Sequence, residues 1–553
     1  MKKTVIFLFV VTTMLLSCTS KQEKMENRMR EFISGYEAAF IPIYREAGLA
    51  TWEANITGTD EAWARNEKAS MNYVNFFTDR AAFAELKELK ESGMVKDPLL
   101  ARQLDILYNQ YLSGQADTAL LAEQVKMETE INKKYTTYRA VVNGRELTDN
   151  EIEDILRNSR NSTDLKAAWE GSKEIGPAVA DDIVRLVRHR NTIAQQLGFS
   201  NYHQMSLELS GQDPEEVTSI FDELDSLTHD SFVALKGEID DYFAGLYGIG
   251  KDELRPWHYQ NRYFQEAPEI YSVDFNRYYK DQDPVHLARE YYAGIGLPVD
   301  NILAKSDLYE KPGKNQHAFS IDIDRAGDVR TLDNIRPDSY WMNTILHELG
   351  HGTYSYYNDM SLPFALRDAA HTFTTEAVAN YFGRLATSPS WMNYMGLIDE
   401  KEMNMIADDS YRAFRLQQLV FSRWTQVMYR FEKAMYEDPG QDLNMLWWDM
   451  VEKYQMLDKP EGRDMPDWAT KIHIALYPCY YHNYLLGELL ASQFDEHIKS
   501  SVLKEGDDSM KAIGEFFKSA VFMPGARYQW NEMIEKATGE KLAAKYYAMQ
   551  VIE

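Results

Sequence analysis

Apolar residues recur three and four positions apart along most of the chain, the repeat of an amphipathic helix. The repeat is clearest in LLARQLDILYNQYL (99–112), VADDIVRLVRHRNTIAQQLG (179–198) and VTSIFDELDSLTHDSFVALKGEIDDYFAGL (217–246). Each predicts a helix with one buried face. Two stretches break this rhythm. In YRAVVNGREL (138–147) short extended arms flank Asn143-Gly144, which predicts a hairpin, and TDNEIEDIL then starts a helix with Thr148 or Asp149 as cap. In AFSIDIDRAGDVRTL (318–332) alternation, a turn at Asp324 to Gly327 and a returning arm predict a second hairpin. No Gly/Ser/Pro-rich linker divides residues 28–553, so the expectation is one large, mainly α body, two-lobed, with a small β-hairpin element and a deep central cleft.

The first residues follow a different pattern. MKKTVIFLFVVTTMLLSC has two lysines, an apolar run too short to span a bilayer, and a small residue before Cys18. This resembles the bacterial lipobox, which implies a signal peptide over 1–17 and lipidation of Cys18; the polar residues that follow read as a tether over 18–27, ahead of the single helical domain over 28–553. The expected location is outside the cytoplasm, membrane-anchored and facing the periplasm or cell surface, with the lipid bilayer as partner through the anchor alone.

Composition narrows the classes. The chain has 553 residues, 44% hydrophobic and 26% charged, as folded globular proteins do, and a formal net charge of −27 that argues against nucleic acid as partner. Removal of 1–17 would take two lysines and no acids, leaving the remainder more acidic still. Only Cys479 follows Cys18, so no intramolecular disulfide is expected after cleavage.

The candidate chemistry lies in TILHELGHGTYSYY (344–357). Asp338 or Ser339 can cap a helix from near Tyr340, on which His347 and His351 stand one turn apart on one face, spaced to ligate one tetrahedral zinc. Glu348, rotated by about 100°, addresses a water at the metal and suits the role of general base in peptide hydrolysis. A metzincin would need Gly and His where Tyr354 and Tyr357 stand. A third ligand must come from LPFALRDAAHTFTTEAVANYFGRLA (362–386), which offers Asp368, His371 and Glu376. Glu376, early in a helix capped by Thr374 or Thr372 with Asn380 one turn on, is the favoured of the three.

HELGH followed by LPFALRDAAHTFTTEA resembles the angiotensin-converting-enzyme family of zinc peptidyl-dipeptidases, gluzincin metallopeptidases. The resemblance extends through TWEANIT (51–57), residues 158–205 and ARYQWNEMIEKATGEKLAAKYYAM (526–549), covering nearly all of 28–553. It implies one zinc per chain held by His347, His351 and Glu376. It also implies a His-Ala pair lining the cleft, matched by His317 and Ala318 in NQHAFSI, where a hairpin arm can also take an extended peptide as an added strand. In WATKIHIALYPCYYHNYLLGELLASQF (468–494), Lys471 would hold the substrate's terminal carboxylate and His473 its backbone.

Two alignments of the tyrosines remain. Without a gap, Tyr480 takes the first family tyrosine position and Asn483 the second; with one inserted residue, Tyr481 and Tyr484 take them. The second is preferred because a phenol stabilises an oxyanion where Asn483 would do so poorly. Departures from the family pattern are a loop one residue longer after the metal helix, Asn380 where an aspartate is usual, and Asn483 or His482 in place of an arginine, so chloride activation is not implied; nor can the family's disulfides form. The expected activity is removal of C-terminal dipeptides from oligopeptides. The alternatives are a thimet-like oligoendopeptidase without carboxylate dependence and a non-catalytic peptide-binding lipoprotein.

Overall fold

The computed structural model describes residues 20–271, 273–503 and 509–552, so the signal-peptide and Cys18 expectations lie outside the described residues. The chain is mainly α, with two small antiparallel hairpins. Among the described residues no helix is long and apolar enough to cross a membrane.

Helix α1 (Lys21–Thr57) starts at Ser20, whose hydroxyl accepts from the Glu23 N–H at 3.1 Å. Residues 21–27, read from their polarity as tether, are therefore the first turns of this helix. Polarity misled because it describes the solvent face only: Met25, Met29, Ile33, Tyr36 and Phe40 follow the helical repeat on the other face. Glu26 adds a tie, accepting the backbone N–H groups of Lys96 and Asp97 at 3.1 Å each.

Helices α2 (Asp60–Phe76), α3 (Arg80–Ser92) and α4 (Pro98–Ser113) share with α1 an apolar cluster that also takes in Phe364 and Ala365. Glu37 of α1 accepts the Phe364 N–H at 2.9 Å, so this cluster braces the segment downstream of the metal motif.

The first hairpin, β1 (Ala140–Val142) with β2 (Arg145–Leu147), turns at Asn143 and Gly144 with φ of 52° and 79°. Both central residues at positive φ make the turn whose twist matches paired strands. Thr148 then forms a capping box with Glu151. Helices α5 (Ile175–Gln196) and α6 (Pro214–Tyr247) contribute to the main core.

The second hairpin pairs β3 (Phe319–Asp322) with β4 (Val329–Leu332), in register Phe319↔Leu332 to Asp322↔Val329. Its turn is held by carboxylates: Asp322 accepts the Arg325 N–H and Asp324 accepts the Ala326 N–H, at 2.8 and 2.9 Å. Backbone bonds from Asp307 and to Leu308 occupy the far side of the β4 segment. Among the described residues β3 pairs only with β4 and is the edge strand.

Helix α7 (Ser339–Tyr356) is capped by Asp338, which accepts the Trp341 N–H at 2.8 Å. It packs against α8 (Thr372–Gly383), and α8 packs in turn on α11 (His482–His497); α9 (Glu400–Glu437) and the short α10 (Ile472–Leu476) complete the surroundings of the motif. Close approach depends on two glycines. A Cβ at Gly350 would lie 2.8 Å from the Ala379 Cα, and one at Gly487 would lie 2.8 Å from the Glu376 Cγ.

Candidate metal centre and peptide-binding groups

The α7–α8 contact brings His347, His351 and Glu376 together, with one ligand atom from each lying within 4.8 Å of the others. His347 Nε2 is 3.9 Å and His351 Nε2 3.5 Å from the carboxylate oxygens of Glu376. His351 Nδ1 lies 2.9 Å from the Thr375 hydroxyl, which fixes the ring so that Nε2 faces inward.

The metal-free electrostatics show what this geometry does. Burial pushes the Glu376 carboxyl up, but the hydrogen bond from His351 and the charge of both imidazoles outweigh it and hold the group down at about 2. Burial lowers His347 to about 4, while His351 is raised because Glu376 overcomes the same burial. Two nitrogen donors and an ionised carboxylate converging on one point suit a divalent zinc-type cation.

The rival ligands of the same segment are used elsewhere. Asp368 pairs with Arg325. His371, rather than Thr372 or Thr374, caps α8: its Nδ1 accepts the Phe373 N–H at 3.2 Å, and Thr374 returns the bond as the third residue of a capping box. An imidazole nitrogen served as acceptor where the sequence offered hydroxyls, so the cap moved upstream by one residue.

Glu348 is 7% exposed, and its Oε2 has no hydrogen-bond partner. Burial, with the charge of Glu376 adding to it and His351 opposing, raises it to about 7, in the range of a general base. Fully buried Asp333, which the sequence did not single out, is pushed up to about 8 by burial and then by the Glu348 charge. Ala318 directly precedes β3, and the side chain of His317 is exposed.

Tyr480 and Tyr484, one turn apart, meet edge to face at 5.3 Å, and both phenols feel the charge of Glu376. Tyr481 turns the other way. Its hydroxyl accepts from the Trp424 indole at 2.8 Å, and its ring stands beside His473 and Lys471. Asn483 is committed to the interior, accepting at 2.9 Å from Gln212, whose carbonyl lies 2.8 Å from His482. Just upstream the chain bends at Cys479, which adopts a positive φ of 55° and whose N–H donates to Glu432 at 2.8 Å.

Lys471 is 8% exposed, with its ammonium 4.9 Å from the Tyr263 ring and 5.4 Å from that of Trp424. It donates to Gln265 at 2.5 Å, and burial, followed by the Arg262 charge, lowers it to about 8. Gln265 had no sequence signal, since it reaches Lys471 across 206 positions. His473, half-buried with an unpartnered Nδ1, is lowered to about 4 by burial and then by Lys471. The structure thus forms a candidate metal group flanked by Glu348, Tyr480 and Tyr484, and beyond Tyr484 a buried cation, Lys471, bonded to Gln265 and beside the Tyr481 ring. Asn380 and His347 line one cavity of about 490 Å³ beside the metal group.

The angiotensin-converting enzyme family model matches residues 23–231 and 258–549 of this chain. The angiotensin-converting enzymes of Rattus norvegicus and Mus musculus are 22% and 21% identical to it, each alignment covering 92% of this chain and 41% of the relative. An inactive angiotensin-converting enzyme-related protein of Caenorhabditis elegans is 22% identical over 94% of this chain and 62% of its own length. The chain therefore spans about two fifths of the rat and mouse relatives and less than two thirds of the nematode one. With a family model matched across both flanks of the metal group, the chain belongs to the angiotensin-converting enzyme family.

Proposed function

We propose that the protein is a zinc-dependent peptidyl-dipeptidase that removes dipeptides from the C-terminus of oligopeptides. The observation that carries this reading is the buried Lys471 ammonium, with Gln265 and Tyr481 beside it, set apart from the metal group. The Tyr481 ring beside Lys471 lies 5.3 Å from that of Tyr484, which feels the charge of Glu376, so a terminal carboxylate held there would end a peptide that reaches the metal group. An endopeptidase of the thimet type has no need of such a cation.

His347, His351 and Glu376 would hold the ion. Zinc bound there supplies Lewis acidity toward the scissile carbonyl and lowers the pKa of water. Glu348 accepts the proton of the attacking water at its carboxylate and returns it to the leaving amine. Tyr484 donates its phenolic O–H to the developing oxyanion, and His473 hydrogen-bonds the peptide backbone. His317 and Ala318 steer the upstream chain along the β3 edge, and Tyr480 packs against Tyr484. The printed name of the C. elegans relative raises a non-catalytic peptide-binding reading, but the complete metal group with a raised Glu348 favours catalysis.

We further propose export and lipid anchoring through Cys18, with oligopeptides as the soluble partners. The test of function is product analysis of a peptide pair differing only in a free or amidated C-terminus, with and without a zinc chelator. Successive loss of C-terminal pairs from the free form is expected, and equal cleavage of both forms would refute the dipeptidase reading.

A further inference from the structure

The cavity of about 490 Å³ beside the metal group is walled by Asn343 and His347, by Asn380, by Gln417 and Phe421, and by Glu488. Its position relates it to the Lys471 pocket. Phe421 precedes Trp424 by one turn of α9, and Trp424 faces Lys471 and bonds Tyr481. Gln417 accepts at 3.2 Å from the N–H of Ala267, two residues beyond Gln265. The cavity therefore adjoins the metal group, and its wall at Gln417 and Phe421 leads to the residues packed around Lys471. On the reading above, it is the space beside the leaving dipeptide. Because His347 itself forms part of the wall, the nearest side chain is that of the residue directly after the cleaved bond.

The lining mixes polar groups with Phe275, Phe414 and Phe421, and the charges of Arg384 and Glu488 in it are paired with each other. Arg384 is ion-paired with Glu488, and also donates to the Glu488 carbonyl, Ser492 and Gln418 at 3.2, 3.1 and 3.4 Å. Around this closed pair, hydrogen-bonding capacity is left over. The Asn343 amide donates to the Gly383 carbonyl at 2.8 Å and Gln417 accepts from Ala267, and among the described residues the Asn343 oxygen and the Gln417 NH₂ have no side-chain or backbone partner. The buried hydroxyl of Ser410 is unpartnered, as is the Arg384 Nε. Arg384, Thr387, Ser410 and Phe414 also line a second cavity of about 560 Å³ on their other side. An aliphatic side chain entering here would strip water from these groups without replacing its hydrogen bonds, whereas an amide would satisfy donors and acceptors alike.

We propose that this cavity selects, at the residue following the cleaved bond, a long uncharged hydrogen-bonding side chain of the glutamine type over aliphatic or charged chains of similar length. The inference rests on the dipeptidase reading and adds its side-chain preference.

The test uses N-blocked peptides ending in X-Ala with a free carboxylate, X being Gln, Leu, Lys or Glu, and reads kcat/KM. Gln should exceed Leu by about 10-fold or more, with Lys and Glu also below Gln. The double substitution Arg384→Met with Glu488→Leu removes both charges together, leaving neither buried alone. It should bring Leu level with or above Gln while the free-to-amidated ratio stays unchanged. Should that protein fail to fold, Gln417→Leu, at a residue exposed to the cavity, should reduce the Gln/Leu ratio several-fold. A flat X series, a preference for Lys, or a ratio unmoved in the variants would overturn the inference alone. Loss of free-carboxylate dependence would instead overturn the reading beneath it.

Discussion

Lys471→Met removes one positive charge and keeps an unbranched apolar stem among Tyr263, Trp424 and Tyr481. A unit pair about 4 Å apart at an effective dielectric constant near 20 is worth about 4 kcal/mol. Losing one partner of a buried pair costs about 3–5 kcal/mol. At about 1.4 kcal/mol per decade, kcat/KM for a free-carboxylate peptide should fall by about 10²–10³-fold. The amidated peptide, already without its charge, should change little.

The pH dependence gives a second signature of the same residue. Burial and Arg262 lower Lys471 to about 8, so the binding-competent ammonium is present below that pH and lost above it. For the wild type, kcat/KM on the free peptide should decline about tenfold per pH unit above about 8, and in Lys471→Met this limb should vanish. The assay is steady-state kinetics on the peptide pair from pH 6 to 10, with zinc content checked. An equal loss on both peptides, or an alkaline limb unchanged in the variant, would refute the assignment of Lys471 to the carboxylate.

The remaining predictions address the metal group and its scaffold. Glu348→Gln should lower kcat by about 10²–10⁴-fold while one zinc per chain is retained, as seen by metal analysis beside activity; undiminished turnover would remove Glu348 from the mechanism. Tyr484→Phe should lower kcat by about 10²–10³-fold, whereas Tyr481→Phe should mainly raise KM, and the reverse pattern would exchange their roles. Thr375→Val, which frees His351 Nδ1, should weaken zinc binding about 10–100-fold in chelator competition, and unaltered affinity would show that the ring is oriented by packing alone. Gly350→Ala places a Cβ 2.8 Å from the Ala379 backbone and should cost about 1–3 kcal/mol by thermal unfolding; an unchanged Tm would mean that the two helices separate freely.

Much of this fold was legible because its signals are local. The Asn143-Gly144 turn, the Thr148 cap and the Asp338 cap each act within a few residues, and the helical repeats depend only on neighbours three and four apart. The His347–Glu348–His351 triplet was legible for the same reason, since one helix sets all three directions. The polar start of α1 was misread because sequence alone does not reveal the partner of Met25 and Met29. Asp333, Gln265 and the cavity beside His347 had no sequence signal: each is defined by segments that meet only on folding.

The tyrosines mark the boundary between the two kinds of information. Along a helix each residue turns the side chain by about 100°, so nearby tyrosines face different groups, Tyr484 toward Glu376 and Tyr481 toward Lys471, and no local pattern records that choice. It was made by tertiary contacts: Trp424 takes the Tyr481 hydroxyl, Gln212 takes Asn483 inward, and Cys479 accepts a left-handed bend. The helices, the hairpins and the paired histidines follow from short-range geometry written along the chain. That Glu376 joins those histidines, that Tyr484 lies on the metal side and that Lys471 is buried beside Gln265 and Tyr481 follows instead from how distant surfaces pack.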